Sequence, residues 1–334
     1  MRKKELPRLY VGPMSRNVVD AAIEAVASTG HKLGFIPSRR QVEHSGGYVN
    51  HWTTNNFTAY VRGKSAGIII ERDHGGPMQG DAPDDGFESF SADSRSGFDI
   101  IHIDVWKQFQ SINDAAIASA MAIRHCESIN PDCLYEIGTE EAIRKYSHEE
   151  LDEFLCLVQS HIGPLFDKVM YAVVQFGTSI SGTKNTGTFD IERSNEMIKI
   201  CQHHGLCSKE HNGDYLSLPD IEKRFKIGLD AINIAPEFGV YETDCFVEIL
   251  ENAGRQDLID DLFSECLQSD RWRKWVPDSF LPQENKKDLI RICGHYVFSS
   301  SVVADIKCQL REIDAQIVSK LRKKFEELLC LTAR

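Results

Sequence analysis

The sequence predicts an α/β protein of the (β/α)8 TIM-barrel class, with a helical extension at its C-terminal end. Short apolar runs alternate with amphipathic stretches, and strands that alternate with helices are typical of a parallel sheet. Eight such repeats favour closure into a barrel. The runs occupy residues 8–15, 31–38, 66–74, 98–106, 132–139, 169–177, 205–213 and 229–237.

Two segments depart from this rhythm. Residues 50–65, "NHWTTNNFTAYVRGKS", are expected to form only a poor helix. Residues 78–97 are rich in Gly, Ser and Asp, which predicts a loop with a short helix. Because a long loop after a barrel strand often lies over the active site, we expect this segment to act as a lid.

Beyond residue 254 the sequence no longer alternates between strand and helix patterns and is mainly helical. We therefore predict a barrel domain over 1–254 and a helical extension over 255–334 that packs on it. Within the extension, "RWRKW" at 271–275 precedes the helix breaker Pro277. We interpret this stretch as a packed aromatic and basic helix end, with phosphate contact as the alternative.

Composition limits the partners and the compartment. The 334 residues are 42% hydrophobic and 26% charged, and the net charge is −12, which disfavours nucleic acid but allows a small anionic substrate. No apolar run has the length of a bilayer span, and the charged N-terminal stretch is not a secretory signal. The ten cysteines form no CxxC pair, which indicates buried thiols in a reducing cytoplasm.

Side-chain alternation predicts which strand residues face the barrel interior. In the fourth run His102 and Asp104 face inward, while Ile101 and Ile103 face the helices. In the eighth run Asn233 faces inward. The carboxyl ends of the strands carry the chemistry in this fold, so these polar groups belong to a candidate active site.

The stretch "IIIERDHGGPMQG" at 68–80 places an acid beside an imidazole at the end of the third run. In a regular strand Asp73 and His74 would face opposite ways. The tight "GGP" that follows suggests that the strand has already ended there. Both side chains are then expected to point into the barrel mouth.

Polar residues at the other strand ends converge on the same mouth. Histidines and carboxylates are metal ligands by type, which points to His74, His211 and His102 as ligands of a divalent metal. Asp73, Glu140 and Glu136 are candidates for proton transfer, although ion pairs with Arg39, Arg40 or Lys209 could equally explain the two glutamates. Candidate substrate and phosphate contacts are Arg39, Arg40, Asp104, Gln175, Ser181, Gly213 and Asn233.

The motifs "RDHGGP", "IHID", "YEIGTEE", "EHNGDY" and "AINIAPEFG" resemble, in this order, the class II metal-dependent ketose-bisphosphate aldolases. The resemblance implies that Asp73 transfers protons and that His74 and His211 bind zinc. It also implies phosphate contacts at Gly213 and substrate contacts at Asn233.

The segments "QVEHSGGYVNHWT", "GFDIIHIDVW", "VVQFG" and "WVPDS" resemble, more narrowly, the accessory subunit of tagatose-bisphosphate aldolase. This likeness extends over residues 10–280. One departure from typical class II aldolases is that the segment after strand 6, "VVQFGTSISG", has no histidine. A third metal ligand would then come from Glu140, Glu136 or His102.

Three functions fit these observations. The first is metal-dependent aldol cleavage of a ketose phosphate, and the second is C4 epimerisation of a ketose or its phosphate by cleavage and re-addition. The third is a non-catalytic stabilising role beside an aldolase subunit, and a homo-oligomer is also compatible. A Schiff-base mechanism is disfavoured because strand 6 has no lysine and acids flank Lys107 and Lys209.

Overall fold

A computed structural model describes residues 6–332 and confirms the barrel. Eight parallel strands close in the order β1-β10-β9-β6-β5-β4-β3-β2, and β2 pairs with β1. A separate antiparallel hairpin lies between β6 and β9. The strands are β1 (Leu9–Val11), β2 (Gly34–Phe35), β3 (Ile69–Gly75), β4 (Ile100–Ile103), β5 (Leu134–Ile137), β6 (Val169–Val174), the hairpin strands β7 (Ile180–Ser181) and β8 (Lys184–Asn185), β9 (Cys207–Glu210) and β10 (Ala231–Ile234).

One helix follows each barrel strand, and four more follow the barrel. The barrel helices are α1 (Arg16–Thr29), α2 (Thr54–Lys64), α3 (Phe87–Ser96), α4 (Ile112–Ile129), α5 (His148–Ile162), α6 (Ile191–His203), α7 (Leu218–Lys226) and α8 (Pro236–Asn252). The helices after the barrel are α9 (Gln256–Gln268), α10 (Lys286–Val297), α11 (Ser301–Gln309) and α12 (Ile313–Thr332).

One local expectation was wrong and another was confirmed. The second crossover contains an eleven-residue helix, α2, which begins where the Thr53 side chain accepts a hydrogen bond from the Asn56 amide and which buries Phe57 and Val61. Packing of that face overrides the low helix propensity of its Thr and Asn residues. The expected loop with a short helix over 78–97 is present, and its helix, α3, buries its own residue Phe90.

The faces of the strands follow the predicted alternation. Ile101 and Ile103 belong to the core between the sheet and the helices, as does Ile232. Tyr10 and Tyr171 belong instead to the smaller core inside the barrel. Their rings meet edge to face at 5.8 Å between centroids, and their hydroxyls lie 3.0 Å apart.

Glycine at position 34 makes room for this inner core. A Cβ atom there would lie 2.3 Å from the Tyr10 ring, well inside van der Waals contact. Only glycine lets the short β2 strand pass beside an inward tyrosine.

The helices after the barrel pack directly against it. The Phe325 ring of α12 lies 4.3 Å from the Phe238 ring of α8, and both side chains are fully buried. At the edge of this contact Lys320 forms an ion pair with Glu248 at 2.6 Å. The extension therefore shares a core with the barrel helices, while its treatment as a domain that starts at 255 stays a prediction.

No disulfide joins any of the ten cysteines, and seven of them are buried. Within 6–332 no single helix has both the length and the apolar character of a membrane span. Helices α10 and α11 meet that composition test only when taken together, and they are bent by 103° at the break between them.

Replacing Phe325 with alanine should lower the free energy of unfolding by roughly 3–5 kcal/mol, because a buried aromatic ring is removed and leaves a cavity. Urea unfolding followed by tryptophan fluorescence measures this loss. Glu327→Ala, at an exposed position of the same helix, is the control and should change stability by less than about 0.5 kcal/mol. Equal stability of the two variants would show that α12 is not part of the cooperative core.

Candidate metal and active site

A bulge in β3 brings Asp73 and His74 to the same side. The pairing of β3 with β4 shifts register between Arg72 and Gly75, and His74 adopts a left-handed backbone conformation with φ of 46°. The strand therefore continues to Gly75 instead of ending before the "GGP" turn, which corrects the expected mechanism. The expected outcome holds, since both side chains line the cavity at the barrel mouth.

Glycine is required immediately after this pair. A Cβ atom on Gly75 would lie 2.6 Å from the His102 carbonyl oxygen, and one on Gly76 would lie 2.5 Å from the Asp104 carbonyl oxygen. Gly76 also has a φ of 140°, which disfavours any side chain. The close approach of β3 to β4 places His74 beside Asp104.

Asp73, His74, His102 and His211 form a compact group of potential metal ligands. One donor atom from each lies within 4.8 Å of the others. The Oδ1 atom of Asp73 lies 3.8 Å from His74 Nε2, 4.0 Å from His102 Nδ1 and 3.7 Å from His211 Nδ1. This oxygen is buried and has no hydrogen-bond partner in the described chain, which fits a group that interacts with a bound cation.

The second nitrogen of each histidine is occupied. His74 Nδ1 lies 2.6 Å from Asp104 Oδ2, His211 Nε2 lies 3.0 Å from Glu136 Oε1, and His102 Nε2 lies 3.1 Å from the carbonyl oxygen of Gly138. Each acceptor favours a proton on the nitrogen that it contacts. In these tautomers the opposite nitrogens of His74 and His211 are unprotonated and lie 3.8 and 3.7 Å from Asp73 Oδ1, which is the arrangement of metal-binding histidines.

His102 has an additional hydrogen bond that makes its Nδ1 atom a weaker metal ligand. The backbone N–H of His74 donates to His102 Nδ1 at 3.2 Å. Burial lowers the pKa of His102 to about 4, so its imidazole is neutral and able to ligate.

The site favours positive charge at His74. Burial would lower the pKa of this imidazole, but the carboxylates of Asp73, Glu140 and Asp104 outweigh burial and raise it to about 10. A proton at His74 therefore balances the surrounding acids. A divalent cation would serve the same electrostatic purpose.

Glu136 has a different position from the one expected of a catalytic acid. It is fully buried, with Oε2 at 2.9 Å from Lys209 Nζ and Oε1 against His211. Both oxygens are therefore occupied away from the cavity, and Glu136 orients His211 instead of reaching substrate. This corrects its assignment to proton transfer. Glu140 does line the cavity, where Asn212 donates to it and His74 Nε2 lies 3.7 Å away.

Lys209 is the cation at the centre of the barrel. Its ammonium lies 2.6 Å from Glu71 and 3.8 Å from the centre of the Tyr10 ring, with no exposed surface. Burial raises the pKa of Glu71 against the charge of Lys209. Burial also acts to raise the pKa of Glu136, but the nearby Lys209 and His102 outweigh burial and hold this pKa well below the usual range. A protonated Lys209 cannot form a Schiff base, in agreement with the sequence.

Two of the predicted substrate contacts serve other purposes. Arg39 is buried, donates to Glu43, Asp84 and the Gly76 carbonyl, and does not line the cavity. Asp104 orients His74 and lies outside the cavity lining. Both assignments as substrate ligands are corrected, because partners from distant segments occupy these side chains.

Three further predicted contacts also lie elsewhere. Gln175 is buried behind the cavity and donates to the carbonyls of Thr139 and Arg144. Ser181 is exposed on the β7–β8 hairpin. The Gly213 amide donates to the Asn233 carbonyl at 2.9 Å and is not available to phosphate. These three assignments are corrected as well, because Gln175 and the Gly213 amide are paired within the protein and Ser181 does not line the cavity.

The cavity at the mouth has a volume of about 340 Å³ and contains the remaining predicted contacts, Arg40 and Asn233. Neither amide atom of Asn233 has a hydrogen-bond partner among residues 6–332. The sequence interpretation missed a wall that the extension supplies. The basic and aromatic "RWRKW" stretch indicated the part formed by Lys274 and Trp275, whereas no sequence pattern indicated His295 and Tyr296.

Comparison with known proteins gives likeness in structure only. The chain matches no protein-family model and no curated protein. A probable tagatose 6 phosphate kinase from Sinorhizobium meliloti 1021 aligns over 98% of this chain and 100% of its own, with a TM-score of 0.77 and 16% identity. The YdjI aldolase from Escherichia coli K12 aligns over 98% of this chain and 92% of its own, with a TM-score of 0.62 and 11% identity.

Fructose-bisphosphate aldolase from Campylobacter jejuni aligns over 98% of this chain and 91% of its own, with a TM-score of 0.59 and 13% identity. Identities this low establish the fold alone. The chain is therefore a (β/α)8 barrel of the kind found in these aldolases. Its own residues add a histidine and carboxylate group at the mouth that could hold a metal.

Replacing Lys209 with methionine should lower the free energy of unfolding by roughly 3–5 kcal/mol at pH 7, because Glu71 and Glu136 lose their shared counter-charge. Without Lys209 the folded-state pKa of Glu136 should rise above the unfolded value and that of Glu71, which is already raised, should rise further, so stability should recover as the pH falls toward about 5. Denaturant unfolding at the two pH values measures both effects. The exposed Lys226→Met is the control, and a loss below about 1 kcal/mol for Lys209→Met would contradict this account.

Proposed function

We propose that the chain is a zinc-dependent enzyme that cleaves and forms a carbon–carbon bond in a ketose phosphate, as an aldolase does. The observation that carries this proposal is the cluster of three histidine nitrogens and the unpartnered Asp73 oxygen, which all lie within 4.8 Å of one another. Nitrogen-rich sites with one carboxylate are typical of zinc. When bound, the ion would supply a Lewis acid that draws charge from the substrate oxygens as the bond breaks.

His74, His102 and His211 would hold the ion, and hydrogen bonds from behind keep their rings in place. Asp104 fixes the tautomer of His74, and Glu136 fixes that of His211. These contacts lie on the side of each ring away from the cavity. The protein therefore preorganises the three donors before any ligand arrives.

Asp73 is the group best placed to move the substrate proton. Its carboxylate lines the cavity, is partly exposed, and has an oxygen without a hydrogen-bond donor in the described part of the chain. In the cleavage direction it would accept the proton of the C4 hydroxyl while the C3–C4 bond breaks. Glu140 is the second carboxylate in reach and is held by Asn212.

Asn233 would orient the substrate. Its side-chain amide lines the cavity, and its donor and its acceptor are both unpaired. A sugar offers adjacent hydroxyl and carbonyl groups that match such a pair. This amide would hold the reacting carbons against Asp73.

C4 epimerisation and a stabilising role beside an aldolase subunit remain the alternatives. An epimerase would use the same residues but retain the aldehyde, so it yields the C4 epimer and no free triose. A stabilising subunit would need none of these residues for the activity of its complex. Product analysis on a panel of ketose phosphates separates the three outcomes.

Asp104→Ala should weaken zinc binding by about ten- to a hundredfold, because His74 loses the acceptor that fixes its tautomer. Competition with a chromogenic chelator measures the affinity of each purified variant. Asp132→Ala, at an exposed aspartate, should bind zinc as the unmodified protein does. Unchanged zinc affinity in Asp104→Ala would place the metal away from His74.

Asp73→Asn should retain the fold and lower the cleavage rate by roughly 10²–10⁴, because the amide cannot accept the hydroxyl proton. Release of triose phosphate from ketose phosphates by the zinc-loaded protein measures this rate, with Asp132→Asn as the matched control. Removal of zinc with a chelator should abolish the activity, and re-addition should restore it. If the unmodified, zinc-loaded protein converts no ketose phosphate, the proposal is wrong.

A further inference from the structure

The helices after the barrel reach into the active-site cavity. His295 and Tyr296 of α10 line the same cavity as Asp73 and His74 of β3, and so does Lys274 from the connection between α9 and α10. None of these three extension residues is accounted for by the metal group or by proton transfer. They form one wall, together with residues of the barrel loops.

His295 is a buried imidazole without hydrogen bonds. Its side chain is 3% exposed, and neither ring nitrogen has a partner in the described residues. It packs against the ring of Tyr296 at 4.0 Å, and Gly239 leaves the space that it fills. An unsatisfied buried donor and acceptor are costly, so a ligand in the cavity is the natural partner.

Burial lowers the pKa of His295 to about 3, and the charge of Lys274 acts in the same direction. The imidazole is therefore neutral at physiological pH, with one donor and one acceptor. A hydroxyl group, which also donates and accepts, is complementary to it. A phosphate would find only a single donor there.

Three cations line the mouth of the same cavity. Arg40 comes from the loop after β2, Lys107 from the segment after β4, and Lys274 from the extension. Lys107 and Lys274 form no ion pair within 4 Å in the described chain, and Arg40 has only a long contact of 3.5 Å with Asp81. Desolvation and the charges of Arg40 and Arg271 lower the pKa of Lys274 to about 8.

We propose that the extension forms the specificity wall of the site, in which Arg40, Lys107 and Lys274 bind the phosphate of the substrate and His295 holds one of its hydroxyl groups. Three cations match a phosphate dianion better than the single charge of a sugar acid. A cavity of about 340 Å³ suits a phosphorylated sugar, since small-molecule sites begin near 300 Å³. The inference rests on the proposed function in taking the ligand to be a sugar phosphate.

The phosphate contact is tested by calorimetric titration of the zinc-loaded chain with inorganic phosphate, with acetate as the monoanion. Phosphate should bind more tightly than acetate, and Lys274→Gln should weaken phosphate binding by roughly ten- to a hundredfold. The matched control is Arg273→Gln, which removes the neighbouring exposed cation that pairs with Asp270 and does not line the cavity. Equal phosphate affinity of Lys274→Gln and the unmodified chain overturns the phosphate contact.

The hydroxyl contact is tested by comparing two ligands. His295→Phe should weaken binding of fructose 6-phosphate by about tenfold while leaving inorganic phosphate unchanged, because only the sugar offers hydroxyl groups. His295→Leu is the second variant if the phenylalanine disturbs folding, which thermal unfolding detects. Unchanged fructose 6-phosphate affinity, or an equal loss for both ligands, overturns the role of His295.

These outcomes are separable from failure of the proposed function. Phosphate binding that depends on Lys274, in a protein that cleaves no ketose phosphate, would support the phosphate-binding role of the extension and contradict the proposed aldol cleavage. Zinc-dependent cleavage of an unphosphorylated ketose by a protein that binds no phosphate would support the aldol chemistry and contradict the phosphate-binding role of the extension.

Discussion

The bulge in β3 is the constraint on which the rest of the site depends. Adjacent residues of a regular strand face opposite sides of the sheet, but the left-handed backbone at His74 turns its imidazole to the side of Asp73. The glycines that follow let β4 approach closely enough for Asp104 to reach His74. A local backbone irregularity thus joins an acid, an imidazole and its orienting carboxylate at one point.

Behind this point the barrel interior contains a buried ion-pair network centred on Lys209. Lys209 binds Glu136, and Glu136 in turn binds His211, so a buried ion pair continues into the metal-binding group. Such a chain of contacts limits the rotation of His211 more than apolar packing would. The same pairing withholds Glu136 from substrate, which explains why a strand-end glutamate is a positioning residue here.

The extension changes the character of the cavity. The barrel supplies a floor with Asp73, Glu140 and the candidate metal-ligand histidines, whereas the extension adds Lys274 and His295 to the wall. Negative charge surrounds His74 and positive charge lies at the mouth. This separation gives a ligand with an anionic end one preferred orientation in the site.

The sequence by itself determined the barrel, the eight strands, the inward faces of His102 and Asn233, and the importance of the Asp73–His74 pair. Those features follow from local periodicity and composition. Tertiary structure decided which polar side chains remain available: Arg39 is bound by Glu43 and Asp84, whereas its neighbour Arg40 lines the cavity. It also decided that His295, far along the chain, enters the site. Partners of a buried polar group come from distant segments, and no local pattern records their distance or direction.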